Sequence, residues 1–387
     1  MNKFRKIFYI WLFLLLIIIL FHPIVYYFYV SKVFPRDNSV VGDLSRMTYS
    51  VDLIDKRFEK ISLEKLHIKQ NEYEGQNIDF ITIGDSFSEG AGGGFNPYYQ
   101  DYIATEYHKN VLNIKMFKEN KNYIETIYSL LNSEQLENKG VKYILIESVQ
   151  RRSLERFAVN NINTKISSAT EFSDNIISNT KDNINQKQKI ILNNNIIADS
   201  WLDIIKLLFS KSSTNEISVI NNLNQNALLY NLRFTIKGYG KMTSHVYREE
   251  LTKDFFSTKV SKDLLFYHED LKYLKLETKE NIELLNDNFN KLAYELDKKG
   301  IKLIFMPAVD KYNLYRPYII SNIYPESIFF EYLETLPKDY IFINTKRILS
   351  KELEKGEKDI FYVDDTHWSY KASEAIIKNS EFKKIFN

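Results

Sequence analysis

The sequence predicts an α/β fold: a doubly wound, mostly parallel sheet with a helical insertion, preceded by one N-terminal transmembrane helix. Two observations favour this class. From residue 76 onward, short apolar runs alternate with segments of helical periodicity, which is the pattern of parallel strands joined by crossover helices. Ahead of them, residues 7–30 form an apolar stretch that is long enough to cross a bilayer.

The apolar stretch is predicted to be an uncleaved signal-anchor. Basic residues precede it, so the positive-inside rule keeps the N-terminus in the cytoplasm and sends the rest of the chain outward. A cleaved signal peptide would have a shorter apolar core and a small-residue cleavage site. Residues 1–32 are therefore interpreted as a cytoplasmic stub and membrane anchor. Residues 33–75, which are charged and lack strong periodicity, are interpreted as a juxtamembrane linker with one or two short helices.

Residues 76–387 are interpreted as one domain. Its predicted strands cover residues 78–83, 110–116, 141–146, 301–306 and 340–344. Its predicted helices cover residues 98–107, 123–131, 271–299 and 373–378. Between about residues 157 and 255, Asn-, Ser- and Lys-rich segments alternate with apolar runs, which predicts a mainly helical insertion.

Composition narrows the classes of function. The 52 basic and 50 acidic residues leave a formal charge of only +2, which argues against a nucleic-acid-binding protein. The chain has no cysteine, and its six histidines are scattered without the spacing of a zinc site. Neither a metal nor a cofactor is therefore predicted.

A candidate nucleophile follows the first strand of the domain. Residues 84–88 read Gly-Asp-Ser-Phe-Ser, and the turn residues after the strand predict that Ser86 lies where the strand turns into a helix. A hydroxyl at that position is exposed, and the amides of the following helix would face an anion forming on the substrate. Serine becomes a good nucleophile only when a base accepts its proton.

A candidate base lies near the other end of the chain. Residues 364–368 read Asp-Asp-Thr-His-Trp, so His367 has a carboxylate two or three positions before it. Ser86, Glu147, Lys311 and His367 all follow predicted strands. Since ligands collect at the carboxyl ends of parallel strands, we expect these side chains to converge on one rim of the sheet.

These motifs resemble the SGNH (GDSL-type) hydrolase superfamily, whose first block is Gly-Asp-Ser and whose last block carries Asp and His. Residues 365–368 (Asp-Thr-His-Trp) look most like the SGNH-like O-acetyltransferases of alginate and other exopolysaccharide assembly. Two more segments are similar to that family: residues 144–147 followed by Arg151, and residues 306–315. One departure is the order of the motifs, since the His motif precedes the Ser motif in the alginate enzymes.

The resemblance implies an SGNH-like catalytic domain over residues 76–387 with Ser86 as nucleophile, His367 as base and a carboxylate that orients the base. Asp365 matches the polysaccharide acetyltransferases, whereas Asp364 matches the spacing of ordinary SGNH esterases. The second and third blocks, which supply the oxyanion hole in typical members, are not recognisable. The amide of Ser86, Gly92 of the Gly-rich run and the side chain of Asn113 are the candidate oxyanion donors.

The same resemblance suggests substrate-binding residues, each with a structural alternative. Glu147 and Arg151 could contact the substrate or form a buried ion pair with each other. Lys311 and Tyr315 could line a sugar cleft or be ordinary surface residues. Trp368 could stack on a sugar ring or pack in the core.

The resemblance and the anchor together imply a single-pass protein of the cell membrane whose catalytic domain is extracytoplasmic, in the periplasm or on the outer surface. Its expected activity is O-acetyl transfer to a cell-envelope or exported polysaccharide, with a membrane-bound O-acyltransferase as the partner that supplies the acyl group. A carbohydrate O-acetylesterase of the same fold and a non-catalytic glycan-binding assembly protein remain as alternatives.

Overall fold

The computed structural model describes residues 3–36, 39–57, 63–166 and 217–386. Its central element is a six-stranded sheet in the order β1-β3-β2-β4-β8-β9, in which every paired neighbour is parallel. A second sheet of three antiparallel strands has the order β5-β6-β7. The strands are β1 (Ile68–Lys69), β2 (Phe80–Ile83), β3 (Val111–Ile114), β4 (Tyr143–Val149), β5 (Gly240–Lys241), β6 (Val246–Glu250), β7 (Asp263–Tyr267), β8 (Lys302–Ala308) and β9 (Ile341–Phe342).

Helices connect these strands and cover the parallel sheet. The α-helices of four or more residues in the described ranges are α1 (Lys3–Val25), α2 (Asp43–Thr48), α3 (Tyr99–Tyr107), α4 (Tyr123–Asn132), α5 (Gln135–Asn138), α6 (Gln150–Phe157), α7 (Leu223–Lys237), α8 (His268–Lys272), α9 (Lys279–Asp297), α10 (Lys311–Tyr315), α11 (Phe329–Thr335), α12 (Thr345–Glu354), α13 (Tyr370–Ile377) and α14 (Ser380–Lys383).

The predicted α/β class and the mostly parallel sheet are confirmed. The five predicted strands of the domain correspond to β2, β3, β4, β8 and β9. Strands β2 and β3 and nearly all of β4 and β8 are buried, which explains why the sequence gives continuous apolar runs instead of alternation. The long helix predicted at 271–299 is shorter than expected, because the Thr278 side chain accepts the amide of Asn281 and begins α9 there.

The order of strands gives the sheet a switch point at β2. Strand β2 lies between β3 and β4, so the chain leaves β2 toward one neighbour and later returns on its other side. Connections diverge at such a point and leave a crevice at the carboxyl ends of the strands. The segment that follows β2 therefore lies where ligands bind in open α/β sheets.

The predicted insertion at about 157–255 is only partly within the described ranges, because residues 167–216 lie outside them. Its described part contains α7 and also strands β5 and β6; β5 pairs with β6, and β6 pairs with β7. The described part is thus a 15-residue helix beside two strands of a small antiparallel sheet, and the mainly helical character expected of the whole insertion stays a prediction.

The N-terminal region contains the one helix among the described residues that is long and apolar enough to span a membrane. It runs from Lys3 to Val33, as α1 continues through a π-helical turn at Tyr26–Val30, with a mean hydropathy of 2.6 over its most apolar window. Most side chains up to residue 20 are exposed, whereas Val25, Tyr26, Val30 and Val33 are buried against the domain.

The segment at 33–75 is not a linker. It contributes α2 and β1, and β1 pairs with β3 at the edge of the parallel sheet. Leu44 and Leu53 are fully buried in the main core. Its helices and strand are only two to six residues long. Elements this short are held in place by tertiary packing, which the periodicity of the sequence does not reveal.

Candidate active site

The structure brings Ser86, His367 and Asp365 into one hydrogen-bonded chain. The Oγ atom of Ser86 lies 2.7 Å from Nε2 of His367, and Nδ1 of His367 lies 2.6 Å from Oδ1 of Asp365. The pKa of Asp365 would be raised by burial, but the hydrogen bonds and charge of His367 and the charge of Arg57 outweigh that effect and lower it. An ionised Asp365 requires the proton on Nδ1, so Nε2 is left free to accept the proton of Ser86.

Ser86 lies in the segment at residues 84–92, which we name the nucleophile turn. The amides of Ser88, Glu89 and Ala91 donate to carbonyl groups of Asp85 and Ser86, so the chain makes consecutive tight turns here. The first helix after Ser86 is α3, which begins at Tyr99 and matches the helix predicted at residues 98–107, so the expectation that helix amides lie directly behind Ser86 is wrong. The site therefore has no helix dipole behind the nucleophile.

Asp85 fastens the nucleophile turn to the neighbouring strand and helix. Its carboxylate accepts the amide of Val149 at 2.9 Å and forms an ion pair with Arg156 at 2.5 Å. Burial by itself would raise the pKa of Asp85, but Arg156 and the amides of Val149 and Phe87 outweigh it and lower the pKa. Asp85 is thus an ionised brace that holds the turn against β4 and α6.

Glu147, on strand β4, also holds the nucleophile turn in place. It is fully buried, and its Oε2 atom accepts the amide of Asp85 at 3.0 Å and the hydroxyl of Ser88 at 2.9 Å. A Cβ atom on Gly84 would lie 2.4 Å from this oxygen, so only glycine fits there. Burial, followed by the charge of Asp85, raises the pKa of Glu147 well above its ordinary value. The predicted substrate contact is wrong, because Glu147 is enclosed by protein.

His367 lies in the segment at residues 361–369, which we name the base loop. Lys311, which is 1% exposed, donates from Nζ to the carbonyl oxygens of Tyr362, Val363 and Asp365 at 2.7, 2.8 and 3.0 Å. Burial lowers the pKa of Lys311 to about 8, although nearby carboxylates favour its charged form. The predicted role of Lys311 in a sugar cleft is wrong: its three donors are used inside the protein.

Two residues of the segment at 33–75, Arg57 and Gly42, also hold the base loop. The guanidinium of Arg57 forms ion pairs with Asp364 at 2.7 Å and with Asp365 at 3.3 Å. Asp364 also accepts the amide of Gly42 at 2.8 Å. Of the two candidate carboxylates, Asp365 therefore contacts His367, and Asp364 fixes the N-terminal segment against the loop.

Asp43 completes this arrangement. Its carboxylate accepts the amide of Thr366 at 2.8 Å and the hydroxyl of Thr366 at 2.6 Å, so it positions the residue before the base. Ligand atoms of Asp43, Asp365 and His367 lie within 4.8 Å of one another, a spacing that could hold a metal ion. Both ring nitrogens of His367 already have partners in Ser86 and Asp365, so the donor set fits a proton-transfer chain better than a metal site.

The other predicted substrate residues are placed differently from expectation. Arg151 forms ion pairs with Asp310 at 2.5 Å and Asp270 at 3.3 Å, so its predicted pairing with Glu147 is wrong and its charge is compensated inside the domain. Tyr315 is fully buried, and Trp368 is 4% exposed with its ring 4.8 Å from that of Phe87. Tyr315 and Trp368 are core residues, and neither is available to stack on a sugar.

The structure places the three predicted oxyanion donors in different surroundings. The side-chain amide of Asn113 donates to the carbonyl of Ser88, and its oxygen accepts the hydroxyl of Thr82, so Asn113 is a brace and that prediction is wrong. Gly92 lies beside the base, since a Cβ atom there would come within 3.2 Å of the His367 side chain. Ser86 and Gly92 are therefore the predicted donors that lie in or beside the Ser86–His367 pair, and their role in an oxyanion hole stays a prediction.

The arrangement can deprotonate a serine hydroxyl and stabilise the imidazolium that results. Ser86 is partly exposed and 12% of the His367 side chain reaches solvent, so the reacting atoms are open to a substrate. Gly42, Asp43 and Arg57 were missed by sequence reasoning. No spacing links residues 42–57 to the base more than 300 positions later; the only local signal was a glycine followed by an acidic residue.

A scan against protein-family models finds no match, and comparisons with curated proteins and with solved structures find none either.

Proposed function

We propose that the protein is a membrane-anchored, SGNH-like serine acyltransferase that acts through an acyl-enzyme. The observation that carries the proposal is the continuous contact from Ser86 through His367 to Asp365, with distances of 2.7 and 2.6 Å. A nucleophile, a base and an orienting carboxylate in this order are the requirements for serine-based acyl transfer. The same contact argues against a non-catalytic assembly protein.

The chemistry proceeds in two halves. His367 accepts the proton of Ser86 as Oγ attacks the acyl carbonyl, and the imidazolium then gives that proton to the departing alcohol. In the second half His367 deprotonates an incoming hydroxyl, which attacks the acyl-serine, and the imidazolium returns the proton to Oγ of Ser86 as that oxygen departs. Asp365 stays ionised and holds the imidazole in the required tautomer throughout.

O-acetyl transfer to a cell-envelope or exported polysaccharide is the activity that we favour. The resemblance of residues 365–368 to the exopolysaccharide acetyltransferases supports the acetyl group and the glycan acceptor. A membrane-bound O-acyltransferase would supply the acyl group. The partial exposure of Ser86 and His367 favours a second candidate, a carbohydrate O-acetylesterase, because water can also reach an acyl group at this position.

The apolar helix supports an anchor with the N-terminus in the cytoplasm and the catalytic domain outside, since basic residues precede it. A reporter fused after Asn387 should be active outside the cytoplasm, and the full chain should stay in the membrane after an alkaline wash. Activity of the reporter only inside the cell would contradict this orientation.

Acetyl transfer and ester hydrolysis are distinguished by whether a sugar hydroxyl or water receives the acetyl group. The full chain in detergent is supplied with an activated acetyl ester, with or without the deacetylated native glycan, and acetylated sugar and free acetate are measured. A bound acceptor hydroxyl can have an effective molarity on the order of 10⁵ M, so a transferase should divert acetyl from water to the glycan. Acetate release without acetylated glycan would identify an esterase instead.

A further inference from the structure

Helix α7 (Leu223–Lys237) leaves a set of apolar side chains exposed, unlike a typical helix on the surface of a water-soluble domain. Such a helix normally turns its apolar stripe toward the core and its polar residues toward solvent. In α7 the residues that face the domain include two asparagines, whereas the outward face carries leucine and isoleucine.

The inward face is fastened by hydrogen bonds. The fully buried Asn224 donates to the carbonyl of Val219 at 2.7 Å, and Asn231 donates to the carbonyl of Tyr49 at 3.2 Å. Between them, Ala227 is fully buried in the small core that also holds the end of the apolar N-terminal helix. These contacts fix which side of α7 points away from the domain.

The outward face is a contiguous apolar stripe. Leu228, Leu229, Leu232 and Ile236 are exposed by 38%, 60%, 48% and 73%. At about 100° per residue these four positions fall within an arc of about 100°, whose centre lies about 120° around the helix from that of Asn224, Ala227 and Asn231. Exposing so much aliphatic surface to water along one helix is unfavourable, so this stripe indicates an interaction surface.

The position of α7 indicates what covers the stripe. Asn224 of α7 lies 3.0 Å from the ring of His22 in α1, so the helix begins beside the point at which the apolar helix enters the domain. Up to residue 20, most apolar side chains of α1 are exposed, as the lipid-facing side chains of an anchor would be. At this junction Tyr27 and Phe28 are exposed by 42% and 68%, the kind of aromatic residues that are enriched at membrane interfaces.

We propose that α7 is a second membrane contact: its outward stripe lies in the interfacial region of the bilayer, next to the anchor. This inference rests on the proposed anchoring of the chain. Arg233 and Lys237 are exposed on the flank of the stripe, where basic side chains of interfacial helices meet lipid headgroups. Two contacts, one spanning and one interfacial, restrict how the domain tilts over the membrane.

The proposal places the active site close to the bilayer surface. Tyr49, which contacts α7, directly follows α2, and Asp43 at the start of α2 holds Thr366 of the base loop. One short helix therefore separates the membrane-facing element from the catalytic base. The acyl donor or acceptor that fits this position is one presented at the membrane surface rather than one free in bulk solution.

The natural absence of cysteine permits a direct test on the full chain. Single-cysteine variants L232C and I236C are labelled with an environment-sensitive fluorophore and reconstituted into vesicles of phosphatidylcholine and phosphatidylglycerol, with or without nitroxide-labelled lipid. Nitroxide lipids should cause a several-fold loss of emission at both positions. L14C, within α1, is the control for a membrane-inserted probe, and Y294C, at an exposed aromatic residue of α9, is the control for a probe in water.

The outcomes distinguish this inference from the proposals on which it rests. Quenching at residue 14 without quenching at residues 232 and 236 would overturn the interfacial role of α7 but leave the anchor intact. Loss of quenching at residue 14 as well would overturn the anchor and this inference together. Blue-shifted but unquenched emission at residues 232 and 236 would show that protein covers the stripe, which also contradicts a lipid contact. Circular dichroism of each variant reports whether it has folded, independently of any catalytic activity.

Discussion

The nucleophile turn and the base loop meet at the active site, but they are supported in different ways. The nucleophile turn is braced by Glu147, Val149 and Arg156, which lie on the adjacent strand and the helix that follows it. The base loop depends on Lys311 and on Arg57, which is about 300 positions away in the chain. The nucleophile is therefore held by the adjacent strand of the sheet and the helix after it, whereas the base also requires contacts from the N-terminal segment, about 300 positions earlier in the chain.

The largest expected effect is on kcat, when each of the two carboxylates of the base loop is replaced in turn. Asp365→Asn should lower kcat by about 10⁴-fold, because an amide no longer holds His367 in the tautomer that accepts the serine proton. Asp364→Asn should change kcat by less than about tenfold and mainly reduce stability, by about 1–3 kcal/mol, because it weakens the contacts to Arg57 and Gly42. Steady-state cleavage of an activated acetyl ester and chemical unfolding measure the two effects; equal losses of kcat would show that the loop acts as one unit.

Loss of the buried lysine should have the next largest effect. Lys311→Met leaves three buried carbonyl groups without a donor, which should lower the free energy of unfolding by about 3 kcal/mol or more. Movement of His367 by about 1 Å should also lower kcat by about 10²-fold. Lys298→Met, at an exposed lysine whose ammonium contacts Glu295 and the ring of Tyr294 on the surface, is the matched control and should leave both quantities nearly unchanged. A fully active Lys311→Met variant would contradict the bracing role.

The smallest expected effect concerns the buried acid beneath the nucleophile turn. The pKa of Glu147 in the folded chain is raised above its ordinary value of 4.5, so the folded chain keeps a proton that the unfolded chain loses. The contribution of Glu147 to stability therefore falls as pH rises above about 4.5, by up to about 1.4 kcal/mol per pH unit. Relative to the unmodified chain, Glu147→Gln should gain stability as the pH rises above about 4.5. Parallel stability curves would show that Glu147 is ionised in the folded state.

The difference between the nucleophile turn and the base loop also explains which parts of the fold and of the site could be predicted from the sequence. Strand β2 and the turn after it are local features, so the position of Ser86 at a strand end was predictable from an apolar run followed by turn residues. The helix amides expected directly behind Ser86 do not lie there. Gly90 and Gly93 adopt positive φ, and the chain continues in turns until Tyr98.

The supports of the base were not predictable. Spacing alone left Asp364 and Asp365 as alternatives, and only the contacts of Arg57 and Gly42 assign Asp364 to the N-terminal segment. The polar residues at strand ends were interpreted as substrate contacts, because a sequence pattern does not report whether a side chain at a sheet rim faces a ligand or a buried partner. Lys311 is the clearest example, since its ammonium group is enclosed by backbone carbonyls.

The central claim is that Ser86 carries the acyl group with His367 as its base. The most direct measurement is mass spectrometry of the full chain after rapid quenching of its reaction with an activated acetyl ester, followed by peptide mapping. One acetyl group should be found on the peptide that contains Ser86, it should disappear in Ser86→Ala, and its formation should be slowed by about 10⁴-fold or more in His367→Ala. Ester cleavage at an unchanged rate in Ser86→Ala, or acetyl attached at another residue, would contradict the account.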